Sequence, residues 1–250
     1  MKVKILKNKQ VAQHAYKINL SSFELARNAK PGQFVMARVV DGYQPLLRRP
    51  FGIHSVKGSS VGILYELAGI GTRFLSQKQP GDYLDIIGPL GNGFDWRASA
   101  PARQRPVLIA GGMGVAPLVF LAEKLKTKPL VLLGAKTKTH ILCEKEFKAL
   151  GCEVRVATDD GSKGRKGLVT DITPEVMSGS EYVIYACGPK AMLKAVAEFA
   201  KNNRITAQVS LEEHMACGIG ACLGCVCKTK NGYQRACKEG PVFDAGEITW

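Results

Sequence analysis

At 250 residues the chain is long enough for two modest domains plus a small appendage. Hydrophobic residues at 46%, charged residues at 22% and a mean hydropathy of -0.03 exclude a disordered or low-complexity chain. The formal charge of +14 invites nucleic acid, but the lysines and arginines are spread along the sequence without a nucleic-acid motif, so anionic cofactors or an acidic protein partner account for it better.

The opening MKVKILKNKQ is basic, yet no apolar core of signal-peptide length follows it, and it reads as a first strand. Short alternating runs come next, YKINL, QFVMARVV, GILYELA and YLDIIG, punctuated by Pro31-Gly32, Lys57-Gly58, Pro80-Gly81 and Gly91-Asn92. Such spacing predicts an antiparallel β-barrel or sandwich over residues 1–98, with one short helix from Thr72 to Lys78. Within it, Leu47-Arg48-Arg49-Pro50-Phe51-Gly52-Ile53-His54-Ser55 carries paired arginines into a strand, and Gly69-Ile70-Gly71-Thr72 turns into the helix. An arginine fork and a helix start complement a pyrophosphate from two sides, which makes a flavin the candidate ligand and a solvated strand end the alternative.

RASAPARQRP, from Arg97 to Pro106, is free of pattern and marks a domain boundary. Beyond it VLIAGG leads into APLVFLAEKLK, PLVLLGA precedes EKEFKAL, EVRVAT follows, and YVIYACG leads into PKAMLKAVAEFAKNN before AQVSLE closes the series. Apolar strands alternating with amphipathic helices predict a Rossmann-like parallel sheet over residues 104–212. Its most apolar stretch, Val107 to Ala122, contains three glycines and a proline and is too short to span a bilayer; the chain is expected in the cytoplasm, with no membrane partner. Gly111, Gly112 and Gly114 follow a strand and open a helix, as a pyrophosphate turn requires. Cys187, Gly188 and Pro189, with Met192, make a second such turn on the same rim of the sheet. A pair of tight turns without a ligand is the alternative.

The last segment, 213–250, holds Cys217, Cys222, Cys225 and Cys237, a C-x4-C-x2-C run with a fourth thiol after it. Four soft thiolates at this spacing suit a [2Fe-2S] cluster, and Gly218, Gly220 and Gly224 suit a loop wrapped closely around it. A structural zinc is the alternative, although no histidine lies between Cys217 and Cys237. Cys143, Cys152, Cys187 and Cys227 are scattered and expected to be free; Cys227 would approach the cluster only if the chain beyond Cys225 is extended.

These pieces, in this order, resemble the ferredoxin-reductase superfamily over essentially the whole chain. LRRPFGIHSV, GTRFL, IGPLGNGF, GGMGVAPL, ACGPKAML, SLEEHMACGIGACLGCVCKT and CKEGPVFDAGEI narrow the resemblance to electron-transfer subunits of class 1B dihydroorotate dehydrogenases. The resemblance implies FAD held by Arg49, Pro50, Phe51 and Gly52, by Leu64, Tyr65 and Glu66, and by Gly71 and Thr72. It implies NAD(H) as substrate, Cys187 beside the nicotinamide or as a buried thiol, and [2Fe-2S] on Cys217, Cys222, Cys225 and Cys237. It further implies an FMN-containing catalytic subunit as partner in a heterotetramer of two subunits of each type, acting in pyrimidine synthesis. Gly52 departs from the superfamily, which commonly has Ser or Thr there, so a backbone N–H is expected to face the flavin N5. Lys136 and Lys138 leave NADP open beside NAD, or form a solvated loop. His54 and His214 receive no catalytic role, because the cofactors carry hydride chemistry, and Asp159-Asp160-Gly161-Ser162 resembles a reductase loop without an assigned role. A diaphorase-like subunit of a hydrogenase or sulfhydrogenase, or an NADH-dependent ferredoxin:NADP oxidoreductase, is the redox alternative. A dinucleotide-sensing module with structural zinc is the non-redox one.

Overall fold

The computed structural model describes residues 1–96, 104–177 and 181–250. Six antiparallel strands close a barrel in the order β1-β2-β5-β4-β3-β6: β1 (Lys2–Gln10), β2 (Ala15–Ser21), β3 (Phe34–Arg38), β4 (Arg49–Lys57), β5 (Ser60–Glu66) and β6 (Tyr83–Leu90). Alternation sends Val3, Ile5, Ile18, Leu20, Ile53 and Ile63 into one interior cluster, which is why these short runs read as strands. Two helices accompany the barrel where one was expected. Helix α1 (Phe23–Asn28) has only six residues, too few to display a period; Ser22 caps it by accepting the Leu25 amide at 3.2 Å. Helix α2 (Ile70–Gln77) starts two residues before the expected Thr72, because Thr72 acts from the third position back on the Gly69 amide, 3.1 Å away.

The second sheet runs β10-β9-β8-β7-β11-β12-β15. Its parallel members are β7 (Arg105–Gly111), β8 (Leu130–Ala135), β9 (Glu153–Thr158), β10 (Arg165–Lys166), β11 (Tyr182–Cys187) and β12 (Thr206–Ser210). Helices α3 (Val115–Lys124), α4 (Glu144–Ala149), α5 (Val169–Val176) and α6 (Lys190–Asn202) cover it. Of the patternless stretch RASAPARQRP, residues 97–103 lie outside the described residues, while Arg105 and Pro106 already belong to β7. The apolar run into α3 is explained by its neighbours. Every residue from Val115 to Ala122 is buried, with Phe120 packed into the barrel core and Leu118 and Leu121 into the core beside the sheet. Among the described residues no helix is long and apolar enough to cross a membrane.

The cysteine-bearing segment is built into both halves. A hairpin of β13 (Val226–Thr229) and β14 (Gly232–Arg235) stands apart, but β15 (Val242–Asp244) pairs antiparallel with β12, Val209 opposite Phe243, and so extends the nucleotide sheet. On the other side Cys225, Ala236 and Cys237 pack against Phe34 and Met36 of β3. The turn after β6 locks the two together, since the Asn92 amide donates to the Gly240 carbonyl at 2.6 Å and its side chain to the Glu239 carbonyl at 2.9 Å.

Candidate functional site

The barrel wall faces the carboxyl rim of the parallel sheet across a cleft of about 590 Å³, in the range of cofactor sites. Arg49, Pro50, Phe51 and Gly52 of β4, Leu64, Tyr65 and Glu66 of the neighbouring β5, and Thr72 of α2 line one side; Met113, Pro117, Cys187, Ser210, Glu212 and Met215 line the other.

The paired arginines separate. Arg48 donates to the Asp85 carbonyl at 2.7 Å and forms an ion pair with the Asp85 carboxylate, which it holds below the usual carboxylate range. Arg49 alone reaches the cleft, bonded to the Leu47 carbonyl and without an ion-pair partner among the described residues. An unpaired guanidinium in a cleft is suited to an anion. Gly71 does not line the cleft; it makes room for this arginine, because a Cβ there would lie 2.8 Å from the Arg49 Nε. Thr72 uses its hydroxyl to cap α2, and Tyr65, 2% exposed, turns its hydroxyl to Asn8 Oδ1 at 3.0 Å, with burial raising its pKa. Gly52 carries no positive φ and has open space, with Pro117 Cδ nearest at 3.8 Å from an added Cβ.

The glycine turns divide by role. A Cβ on Gly114 would sit 2.2 Å from the Cys187 carbonyl oxygen, one on Gly111 2.7 Å from Pro189 Cδ, and one on Gly188 2.9 Å from the Gly111 amide. Gly111, Gly114, Gly188 and Pro189 therefore pack the two turns against each other and stand outside the cleft lining. Gly112, with φ of +53° and nothing within 4 Å of its Cβ position, is free of this packing and lines the neighbouring hollow beside His14 and His140 rather than the cleft. Cys187 lines the cleft at 3% exposure, its thiol pushed up by burial. Lys136 and Lys138 are exposed, and the Asp159–Ser162 loop braces their turn: Ser162 Oγ accepts the Lys138 amide at 2.7 Å and donates to Asp160 Oδ1 at 2.6 Å.

At the cysteine loop each of the four candidate ligands accepts a backbone amide. Ile219 N–H points to Cys217 Sγ at 3.5 Å, Gly224 N–H to Cys222 Sγ at 3.5 Å, Cys237 N–H to Cys225 Sγ at 3.4 Å and Gly220 N–H to Cys237 Sγ at 3.1 Å. An accepted N–H bond favours the thiolate, and the Ile219 amide brings Cys217 down to about 6, whereas burial and the neighbouring Cys225 push Cys237 up to about 12. Such bonds also tune the potential of an iron–sulfur centre, so the donor set fits one. Cys227 behaves oppositely: it joins the core around Phe243 and donates to the Gln234 carbonyl at 3.5 Å. Gly218 and Gly220 have φ of +71° and +84°, whereas Gly224 has no positive φ and the third left-handed position is Leu223 at +58°. Arg235 fastens the loop by donating to the Gly220 carbonyl at 2.8 Å while paired with Glu239; no spacing rule in the sequence singled it out. The loop and the cleft are contiguous, because Phe34 and Met215 border both.

His54 lies elsewhere. Fully buried on β4, it places Nε2 3.2 Å from Glu146 of α4 and 3.6 Å from Cys143 Sγ, while Lys17 of β2 reaches the same carboxylate at 3.2 Å. These side chains join barrel to sheet. His214 is exposed on the cleft wall.

The iron-sulfur cluster binding domain of dihydroorotate dehydrogenase B matches residues 212–249, and an oxidoreductase NAD-binding domain matches residues 108–198. The chain is 46% identical over 246 residues to the dihydroorotate dehydrogenase B (NAD(+)) electron transfer subunit of Bacillus caldolyticus, covering 95% of this chain and 94% of that one. Its counterpart from Caldanaerobacter subterraneus is 42% identical over 99% of this chain and 98% of its own. An NADH-dependent reduced ferredoxin-NADP oxidoreductase structure superposes with a TM-score of 0.87 at 29% identity, covering 99% and 90% of the two chains. A ferredoxin NADP+ reductase from Neisseria gonorrhoeae, 15% identical with a TM-score of 0.72 and coverage of 84% and 98%, shares the fold. With such identity sustained along nearly its whole length, the chain belongs to the family of dihydroorotate dehydrogenase B (NAD(+)) electron transfer subunits.

Proposed function

We propose that this chain is the electron-transfer subunit of a dihydroorotate dehydrogenase B, carrying electrons from an FMN-containing catalytic subunit through [2Fe-2S] and FAD to NAD+ in pyrimidine synthesis. The observation that carries the reading is the set of four cysteine sulfurs, each accepting a backbone amide, in a loop that shares Phe34 and Met215 with the cleft. Cys217, Cys222, Cys225 and Cys237 hold the cluster. FAD occupies the cleft on β4 and β5, its pyrophosphate met by Arg49, and NAD(H) approaches the turn at Gly112 and the rim at Cys187. Bound FAD supplies the conversion between one-electron and two-electron transfer.

The division of labour follows residues 1–98 for flavin, 104–212 for nicotinamide and 213–250 for the cluster, in a cytoplasmic heterotetramer with two catalytic subunits. The isolated chain is expected to oxidise NADH with an artificial acceptor and to oxidise dihydroorotate only after the FMN partner is added. Dihydroorotate oxidation by the chain alone would overturn this division. The likeness at 29% identity to the ferredoxin-NADP oxidoreductase supports a second reading, transfer between nicotinamide and a different partner. Co-purification of a dihydroorotate-oxidising flavoprotein separates the two.

A further inference from the structure

His54, Cys143 and Glu146 meet at the seam between the barrel and the parallel sheet, away from both the cleft lining and the cysteine loop. His54 comes from β4, two residues beyond Gly52, and is fully buried. Cys143 and Glu146 come from the start of α4, three residues apart and so toward one side of it. Cys143 is half-buried and has φ of +60°, a conformation that a residue with a side chain seldom adopts. From this turn its Sγ lies 3.6 Å from His54 Nε2, and Glu146 Oε2 lies 3.2 Å from the same nitrogen.

One imidazole nitrogen, one thiol sulfur and one carboxylate oxygen converging on a point are the donor mix of a zinc site, and magnesium or calcium, which take oxygen ligands, do not suit it. A tetrahedral zinc with bonds of about 2.0 Å to nitrogen and oxygen and about 2.3 Å to sulfur holds its nitrogen and oxygen ligands about 3.3 Å apart and its nitrogen and sulfur ligands about 3.6 Å apart. Two of the three edges already have that length. Along the third, sulfur to carboxylate, the atoms lie within 4.8 Å, and the Glu146 side chain, 42% exposed, has room to turn inward. Lys17 Nζ straddles the carboxylate, 3.3 Å from Oε1 and 3.2 Å from Oε2, so it can keep Oε1 as an outer partner when a metal takes Oε2. His54 Nδ1 has no hydrogen-bond partner among the described residues; no donor fixes it as an acceptor, and the ring can carry its proton there while the Nε2 lone pair faces a metal.

We propose that His54 Nε2, Cys143 Sγ and a Glu146 carboxylate oxygen form a site for one zinc ion, with water as the fourth ligand, that fastens barrel strand β4 to helix α4 of the parallel-sheet half. On binding, the thiol releases its proton to solvent, and the thiolate and carboxylate together balance the two charges of the ion. The place is one from which an ion acts on both concave surfaces of the molecule. Strand β4 gives Arg49 to Gly52 to the cleft, and Leu142, next to Cys143, lines the hollow that Gly112 borders. Occupancy fixes the spacing between these two walls.

The test uses the full chain as purified, with iron and flavin content measured before and after. One equivalent of zinc sulfate followed by desalting is expected to leave one zinc per chain with iron and flavin unchanged, and to raise Tm. The zinc K-edge spectrum is expected to show one sulfur at about 2.3 Å and three nitrogen or oxygen atoms at about 2.0 Å. Magnesium chloride at the same concentration is expected neither to be retained nor to raise Tm. Cys143→Ser and Glu146→Gln are each expected to weaken zinc retention against a chelator by about 10-fold or more and to abolish the rise in Tm, while Cys227→Ser, which removes a different free thiol, retains zinc as the wild type does. No zinc retained by the wild type, or zinc retained equally by Cys143→Ser, would overturn the proposal. So would a spectrum of four sulfurs, which places the ion on the cysteine loop instead.

Discussion

Cys225 and Cys227 are two residues apart and do opposite things. Cys225 accepts the Cys237 amide beside Met36, while Cys227 points into the core around Phe243 and donates to a carbonyl. Cys227→Ser is therefore expected to keep full iron content and visible cluster absorption, and Cys237→Ser to lose both. The spacing of the ligands is a local property and was legible in the sequence; the direction of each sulfur's hydrogen bond is not. The same limit applies to Arg48 and Arg49, adjacent basic residues that only the Asp85 partner tells apart. It applies again to the glycines, since Gly111 and Gly114 answer to a turn more than seventy residues away in sequence, at Cys187 and Pro189. Overpacking that contact should make Gly114→Ala cost about 3 kcal/mol, while Gly52→Ala, with open space before it, should stay within about 0.5 kcal/mol. Thermal unfolding of the two variants measures the contrast.

At the scale of elements, α4 is tied to the barrel through Glu146. Burial alone would raise this carboxyl, but the His54 hydrogen bond and charge, joined by Lys17, outweigh it and bring it to about 2 from 4.5. A depressed folded-state pKa stabilises the protein above the unfolded value and loses that contribution as pH falls. The Glu146 contribution is thus present above about pH 4.5 and vanishes toward pH 2. Glu146→Gln should unfold more easily at pH 7 and show a weaker further loss between those limits, measured by urea titration at each pH. This tie was invisible in sequence because its partners lie on β2, β4 and α4. Helix α5 escaped for another reason: Val169, Thr170, Ile172 and Pro174 are poor helix formers, and its start depends on Asp171 accepting the Leu168 amide at 2.8 Å. Strand β15 has three residues and is stabilised by the edge of β12 rather than by its own pattern. Deleting it should uncover that edge and loosen the Asn92 contacts that anchor the cysteine loop, lowering cluster retention on gel filtration.

For the molecule as a whole, the barrel and the parallel sheet were legible because period-2 runs and strand–helix alternation are carried by many residues at once. The cleft was only partly legible. Arg49, Pro50, Phe51, Gly52, Leu64, Tyr65, Glu66, Thr72 and Cys187 meet there, whereas Gly71, Gly111, Gly114, Gly188 and Pro189 support it from outside, and Glu212 enters it unannounced. The cysteine loop rests on β3 beside the cleft on β4 and β5, so the proposed cofactors would stand in series. On the proposed function, electrons from the partner reach NAD+ only through the cluster. Cys222 is the exposed one of the four proposed ligands, so Cys222→Ser would remove a ligand with least disturbance to the core. Dihydroorotate-driven NADH formation should be measured in the reconstituted complex carrying that variant, with FAD retained. The account predicts that NADH formation falls to background while NADH oxidation by an artificial acceptor persists; NADH formation at the wild-type rate without the cluster would contradict it.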